Sequence, residues 1–292
     1  MNLNTHNAMK YSITNKQKGF TLVELLVSML IGLFILSVAV TFLITSSRTL
    51  VNQGSEDLIQ ENARFAFEIL SSNVRLMGLN ESTDPNVLIQ GTFNNTICDG
   101  NESCTQNSFD YVLNGQNIDS DSIAFDYVLD SGTTCTGNQI TQETKVVTVF
   151  FVSDLDGDGI ASFNCRSFES QLDPFTSNFT NFVEPPGFGA SPIIDGIDSM
   201  QVQYGVDTNG DGSVEQYSSY GNVTVLQRPN IKAIKVGLLV NSGQAILENQ
   251  ATESSFVVAP QQIYQVLDGQ NTFTDLVLRQ VYSTTIFLPN RI

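Results

Sequence analysis

Residues 18–44 read KGFTLVELLVSMLIGLFILSVAVTFLI, and the fold is decided there. From Phe20 to Ile44 the run is 25 residues long and holds one charge, Glu24. At 1.5 Å rise per residue, a helix over that run reaches about 37 Å, enough to cross the hydrocarbon core of a bilayer with some tilt. Upstream stand Lys10, Lys16 and Lys18 with no acidic residue among them, which favours keeping that end on the cytoplasmic side. The run is too long for the apolar part of a secretory signal, and no A-x-A cleavage pattern follows it. Glu24 is the anomaly. A carboxylate near the start of an apolar helix is costly unless it snorkels to the interface or meets a cation.

The helical pattern continues beyond the apolar run. The first proline after Phe20 is Pro85. Ile59, Ala63, Ala66, Leu70, Val74 and Met77 recur at spacings of three or four, drawing one apolar stripe, with Glu56, Asp57, Glu61, Arg64, Glu68 and Arg75 mostly off it. Gly78, Asn80 and Pro85 supply the stop. One helix is expected from about Phe20 to about Met77, roughly 85 Å long at the standard rise, its second half packed on a head. Gly32 and Gly54 are the places where it could bend, and a break into two helices at Gly54 is the alternative.

The remainder reads as β. Strand patterns run over 122–129, 145–152, 199–206, 222–226, 232–240 and 281–288. Met200, Val202, Tyr204 and Val206 alternate onto one face, as do Ile234, Val236, Leu238 and Val240. That is the pattern of an antiparallel sheet with one face on the helix and the other partly wet. The class is therefore α+β: a long N-terminal helix on an antiparallel β-sheet head.

Composition narrows the function. The 292 residues include 30 acidic and 13 basic side chains, a formal charge of −17, with 15% charged residues in all. Direct nucleic-acid binding is not expected of so acidic a chain, because phosphate binding needs a basic face. The one histidine, His6, precedes the apolar run. Downstream of it neither a Ser-His-Asp or Cys-His nucleophile nor a histidine-bound metal can be built. Phosphate loops of the G-x-x-x-x-G-K type are absent, and no carboxylate pair sits in a catalytic motif, so catalysis is not expected.

Cys98, Cys104, Cys135 and Cys165 all lie in the head. A head outside the cytoplasm permits disulfides, and four cysteines allow three pairings. The short loop between Cys98 and Cys104, turned by Asp99, Gly100 and Asn101, favours Cys98–Cys104 with Cys135–Cys165. The spacings are unlike those of a zinc site.

Two segments resemble the first half of a calcium loop. Asp154, Asp156 and Asp158 precede Gly159; Asp207, Asn209 and Asp211 precede Gly212. Oxygen ligands at alternate positions can be aimed at one ion, and glycine makes the sharp turn. The twelfth positions hold Cys165 and Ser218 rather than glutamate, with Glu215 a substitute ligand in the second loop. An Asp/Gly-rich turn with no ion is the alternative. No cofactor is required by this reading; a structural calcium is the candidate.

Lys18-Gly19-Phe20-Thr21-Leu22-Val23-Glu24 resembles the type IV prepilin processing motif. The resemblance implies that a prepilin peptidase cuts after Gly19 and methylates the new amine of Phe20, and that Glu24 matches the family's assembly glutamate. A buried charge is tolerable when paired, so the Phe20 amine of a neighbouring subunit is a fitting partner for Glu24. Residues 60–78 and the closing segment 279–291 are similar to the minor pilins called PilW. That family usually ends in Leu-Arg-Asn, and here Pro289 stands in place of the arginine. The implied plan is a cleaved leader (1–19), a transmembrane and filament-core helix (20–44), an amphipathic helix (45–79) and a β-rich head (80–292). Loss of the leader takes the charge to −20. The implied role is a non-catalytic minor pilin near the fibre tip that primes or supports pilus assembly, in a family linked to twitching motility, adhesion and DNA uptake. Its implied partners are the prepilin peptidase, other minor pilins, the major pilin and the inner-membrane assembly platform. It would sit in the inner membrane with its head in the periplasm before assembly, and on the pilus at the cell surface afterwards. Two alternatives share these features: a minor pseudopilin of a type II secretion system and a calcium-dependent adhesin at a fibre tip.

Overall fold

The computed structural model describes residues 19–79, 110–171, 182–245, 261–275 and 277–291. The chain divides into two units, one through Val51 and one from Asn52 onward. Helix α1, Leu22–Val74, is continuous past Gly54, so the broken-helix alternative does not hold.

In the first unit α1 is exposed on all sides, and by length and composition it can cross a membrane. Its hydroxyl groups do not interrupt that character. Ser37 donates to Phe34 O, Thr41 to Ser37 O, Thr45 to Thr41 O and Thr49 to Thr45 O, at 2.8 to 3.0 Å. These four hydroxyls are satisfied by the helix's own carbonyls, as an apolar surrounding demands.

In the second unit the expected stripe is the buried one. Ile59, Ala63, Ala66, Leu70, Val74 and Met77 are all at most 2% exposed. Burying the four larger side chains stabilises the unit by about 1.5–3 kcal/mol each. The helix stops where Gly78 takes a positive φ of 74° and its N–H turns to Asp126 O. Asn290, in the closing turn Pro289–Arg291, donates to Arg75 O and Met77 O at 2.8 and 3.2 Å. The chain's last turn thereby caps carbonyls that the helix end leaves open.

The strands are, in chain order, β1 (Tyr111–Leu113), β2 (Gln116–Ile118), β3 (Ile123–Leu129), β4 (Gly132–Thr133), β5 (Gln139–Ile140), β6 (Thr144–Ser153) and β7 (Ser162–Gln171). They continue as β8 (Ser191–Asp195), β9 (Ile197–Val206), β10 (Gln216–Ser219), β11 (Ile231–Ala245), β12 (Gln262–Val266), β13 (Gly269–Phe273) and β14 (Val277–Phe287). Among the described residues they form two four-stranded antiparallel sheets, ordered β3-β6-β7-β8 and β10-β9-β11-β14, with hairpins β1–β2, β4–β5 and β12–β13.

Three findings depart from the sequence reading. The partly wet face of β9 and β11 is more covered than expected: Ser199, Gln201, Ala233 and Leu239 are buried, while Gln203 and Lys235 stay half-buried. At Gly237 an added Cβ would meet Val266 and Leu267 within about 3 Å, so a hairpin lies flat on that face, and glycine is what admits it. Residues 222–226 are not a strand. Tyr220–Asn222 is a 3-10 turn, and Gln227 closes a second turn by accepting from Thr224 N–H and Oγ at 3.0 and 2.9 Å. Local side-chain bonding outcompetes a short β-branched run. The other strands and hairpins, β7 and β12 among them, had no clean period-two pattern to announce them. Of the two expected disulfides, Cys135–Cys165 is formed, with Cα atoms 6.3 Å apart, tying the β4–β5 hairpin to β7. Cys98 and Cys104 lie outside the described residues.

Candidate functional site

The N-terminal site is built from local helix chemistry. Gly19, Phe20 and Thr21 lead into α1, and Phe20 is 81% exposed. Glu24 N–H donates to Thr21 Oγ at 3.3 Å, so Thr21 caps the helix and Glu24 occupies its first turn. A carboxylate there faces the positive end of the helix dipole, a local benefit that the sequence reading did not count. Gly19 and Phe20 thus immediately precede the exposed apolar helix, and Glu24 stands in its first turn.

The two acidic loops are built alike, almost atom for atom. In the first, between β6 and β7, Gly157 and Gly159 N–H donate to Asp154 Oδ1 and Oδ2 at 2.8 and 3.0 Å, and Ile160 N–H donates to Asp158 Oδ1 at 2.8 Å. In the second, between β9 and β10, Gly210 and Gly212 N–H donate to Asp207 Oδ1 and Oδ2 at 2.6 and 2.8 Å, and Ser213 N–H donates to Asp211 Oδ1 at 2.8 Å. The four glycines all have positive φ, which lets the amides turn inward to the first aspartate. Asp154, Asp156 and Asp158 cluster with ligand atoms within 4.8 Å of one another, and so do Asp207, Asp211 and Glu215. Asn209 donates to Asp211 and accepts its N–H.

The loops differ in their surroundings. Asp207 is 3% exposed and Asp154 half-buried. Glu215 reaches back across the second loop and accepts from Thr208 N–H at 2.8 Å. Burial works to raise the Asp207 pKa, but the amides of Gly212, Gly210 and Asn209 outweigh it and hold the carboxyl below the usual range. The Ser213 amide and Asn209 do the same for Asp211. Mutual repulsion in this cluster is therefore offset in part by the backbone itself. Beside the loop is an open groove of about 870 Å³, walled by Arg75, Lys232 and Phe287 as well as Asp207 and Asp211.

Sequence reasoning missed a buried ion network. Arg279 on β14 is bonded through Nε to Asp198 at 2.6 Å and through both terminal nitrogens to Asp275, and its guanidinium lies 3.6 Å over the Phe273 ring. Asn241 donates to the other oxygen of Asp198 at 2.7 Å. The available signal was the scarcity of basic residues in the head, where a buried one needs an acid beside it.

Two family descriptions match the chain: Type IV Pilus-assembly protein W over residues 150–290, and the prokaryotic N-terminal methylation motif over residues 14–40. No match to a curated protein was found. Among solved structures, a type IV-like pilin from Thermus thermophilus is similar at 11% identity and a TM-score of 0.40, covering 79% of this chain and 97% of its own. At that score the likeness decides neither fold nor function.

Proposed function

Because the chain is a type IV pilin-like protein of the PilW type, we propose that it works as a non-catalytic minor pilin, processed at Gly19–Phe20 and assembled through Glu24. The single observation that carries this is the union, on one chain, of the methylation motif, an exposed apolar helix and a PilW-like head. In this reading residues 1–19 are removed, and 20–44 are held in the inner membrane, with the head, residues 80–292, in the periplasm. Of the segment 45–79, the stripe from Ile59 to Met77 is what packs on that head. The Phe20 amine of one subunit then neutralises Glu24 of its neighbour as the apolar helices gather, since two charges leaving water together cost less than one alone. The partners are the prepilin peptidase, the assembly platform, other minor pilins and the major pilin. The place of assembly is near the tip, where the chain primes growth of the fibre and supports motility, adhesion or DNA uptake.

The acidic loops are proposed calcium sites of a structural kind, the second the stronger of the two. It combines a buried Asp207 with Asn209, Asp211 and Glu215, all hard oxygen donors. Such an ion would pin the β9–β10 connection.

Mass spectrometry of the native N-terminus tests the processing step: a chain beginning with N-methylated Phe20 is expected, and a retained leader refutes it. Deletion of the gene, scored for surface fibres and for exoprotein secretion, tests the role. Loss of fibres with normal secretion is expected; the converse would assign the chain to a secretion pseudopilus.

A further inference from the structure

Residues 119–122 form a strap that runs beside β9, in one sheet, and leads into β3, the edge strand of the other. It is bonded along its length. Asp121 N–H donates to Met200 O at 2.6 Å, Met200 N–H to Ser120 Oγ at 3.1 Å, Ser199 Oγ to Asp119 O at 2.7 Å, and Val202 N–H to Asp121 Oδ2 at 2.7 Å. From the opposite side Asn271 of β13 accepts Asp119 N–H and donates to Asp119 O, at 2.7 and 2.9 Å. The strap therefore holds β9, β13 and the start of β3 together.

At its centre Asp121 is 1% exposed. Among the described residues, neither its Oδ1 nor the hydroxyl of Tyr204, close enough on β9 to feel its charge, has a hydrogen-bond partner. The charged groups that bear on Asp121 are all acids: Asp268 in the β12–β13 turn, Asp119 in the strap and Asp110 ahead of β1. A carboxylate that has, among the described residues, one amide donor, no facing cation and three like charges around it is strongly disfavoured as an anion.

We infer that Asp121 is a proton-operated clasp: the strap closes on β9 while this side chain is a neutral acid, and opening of the strap releases one proton to water. Burial first, and the neighbouring acids after it, push the folded-state pKa up to about 8 against the opposing Val202 amide. An opened, hydrated Asp121 titrates near the ordinary value of about 3.9. Between these limits the closed form binds the extra proton, so closure weakens as pH rises and levels off above about 8. The equilibrium constant for opening should rise about tenfold per pH unit inside that window.

The test is hydrogen exchange on the full-length chain in detergent at pH 5, 6 and 7, corrected for intrinsic exchange. The opening constant of the Val202 and Asp121 amides is expected to increase about a hundredfold from pH 5 to pH 7. In Asp121→Asn, which cannot ionise, the same amides should open with no pH dependence. A native chain whose opening does not change over this range overturns the inference, whether or not that variant folds; so does an Asp121→Asn chain with the native slope. Tyr204→Phe, which leaves the acid in place, should keep the slope, and loss of it would transfer the titration away from Asp121.

Discussion

Arg279→Met is the sharpest test of what holds the head together. The Arg279 and Asp198 side chains are 3% and 1% exposed, and Met fills most of the volume of the arginine stem without its charge. The substitution leaves Asp198 buried, with Asn241 as its remaining side-chain donor among the described residues. Removing one partner of a buried pair costs about 3–5 kcal/mol, far more than the pair itself contributes against an apolar replacement. Asp198 already has a raised pKa, because burial outweighs Arg279 and its other donors, and in the variant it rises further. The folded variant therefore takes up a proton, and the loss of stability grows with pH and shrinks toward acid, changing by at most about 1.4 kcal/mol per pH unit. For a unit of this size, 3–5 kcal/mol corresponds to a Tm lower by roughly 6–20 °C. Thermal unfolding followed by circular dichroism at pH 8 and pH 5 checks both the size and the sign. The double variant Arg279→Met with Asp198→Asn should recover much of the loss, since no buried charge is left unpaired. A loss under about 1 kcal/mol, or one equal at both pH values, would refute the reasoning.

Three further outcomes are expected. Glu24→Ala should be cleaved normally yet fail to enter fibres, read by immunoblot of sheared pili; normal incorporation would sink the pairing with Phe20. Calcium should raise the Tm of the native chain more than that of Asp207→Asn, because the second loop loses the charge of its first ligand while the first loop is left intact; an equal rise in both would move the ion away from the second loop. Cys135→Ser opens a cross-link between residues 30 apart and should lower stability by about 3–4 kcal/mol under the chain-entropy estimate, seen as a shifted denaturant midpoint.

The parts of this molecule that were legible beforehand are those governed by local periodicity. The stripe from Ile59 to Met77 is one helix face, and any long helix bearing it must bury that face somewhere. The Asp-Gly loops were legible for the same reason, since alternating oxygens and glycines describe their own turn. Residues 222–226 misled because five residues, three of them β-branched, carry too little pattern to outweigh Thr224 and Gln227 bonding to each other. The clasp at Asp121 and the Arg279 network were illegible. Asp121 and Asp198 look like ordinary surface acids until strands distant in sequence enclose them.

Length, apolar run, processing motif and helix-face spacing were thus written in the chain alone, because each depends on residues within one or two helical turns of one another. Which carboxylates lose their water, which arginine must answer them, and which glycine lets a hairpin lie on a sheet were decided by the tertiary structure. Desolvation and packing depend on what the far parts of the chain bring alongside, and no local pattern encodes that.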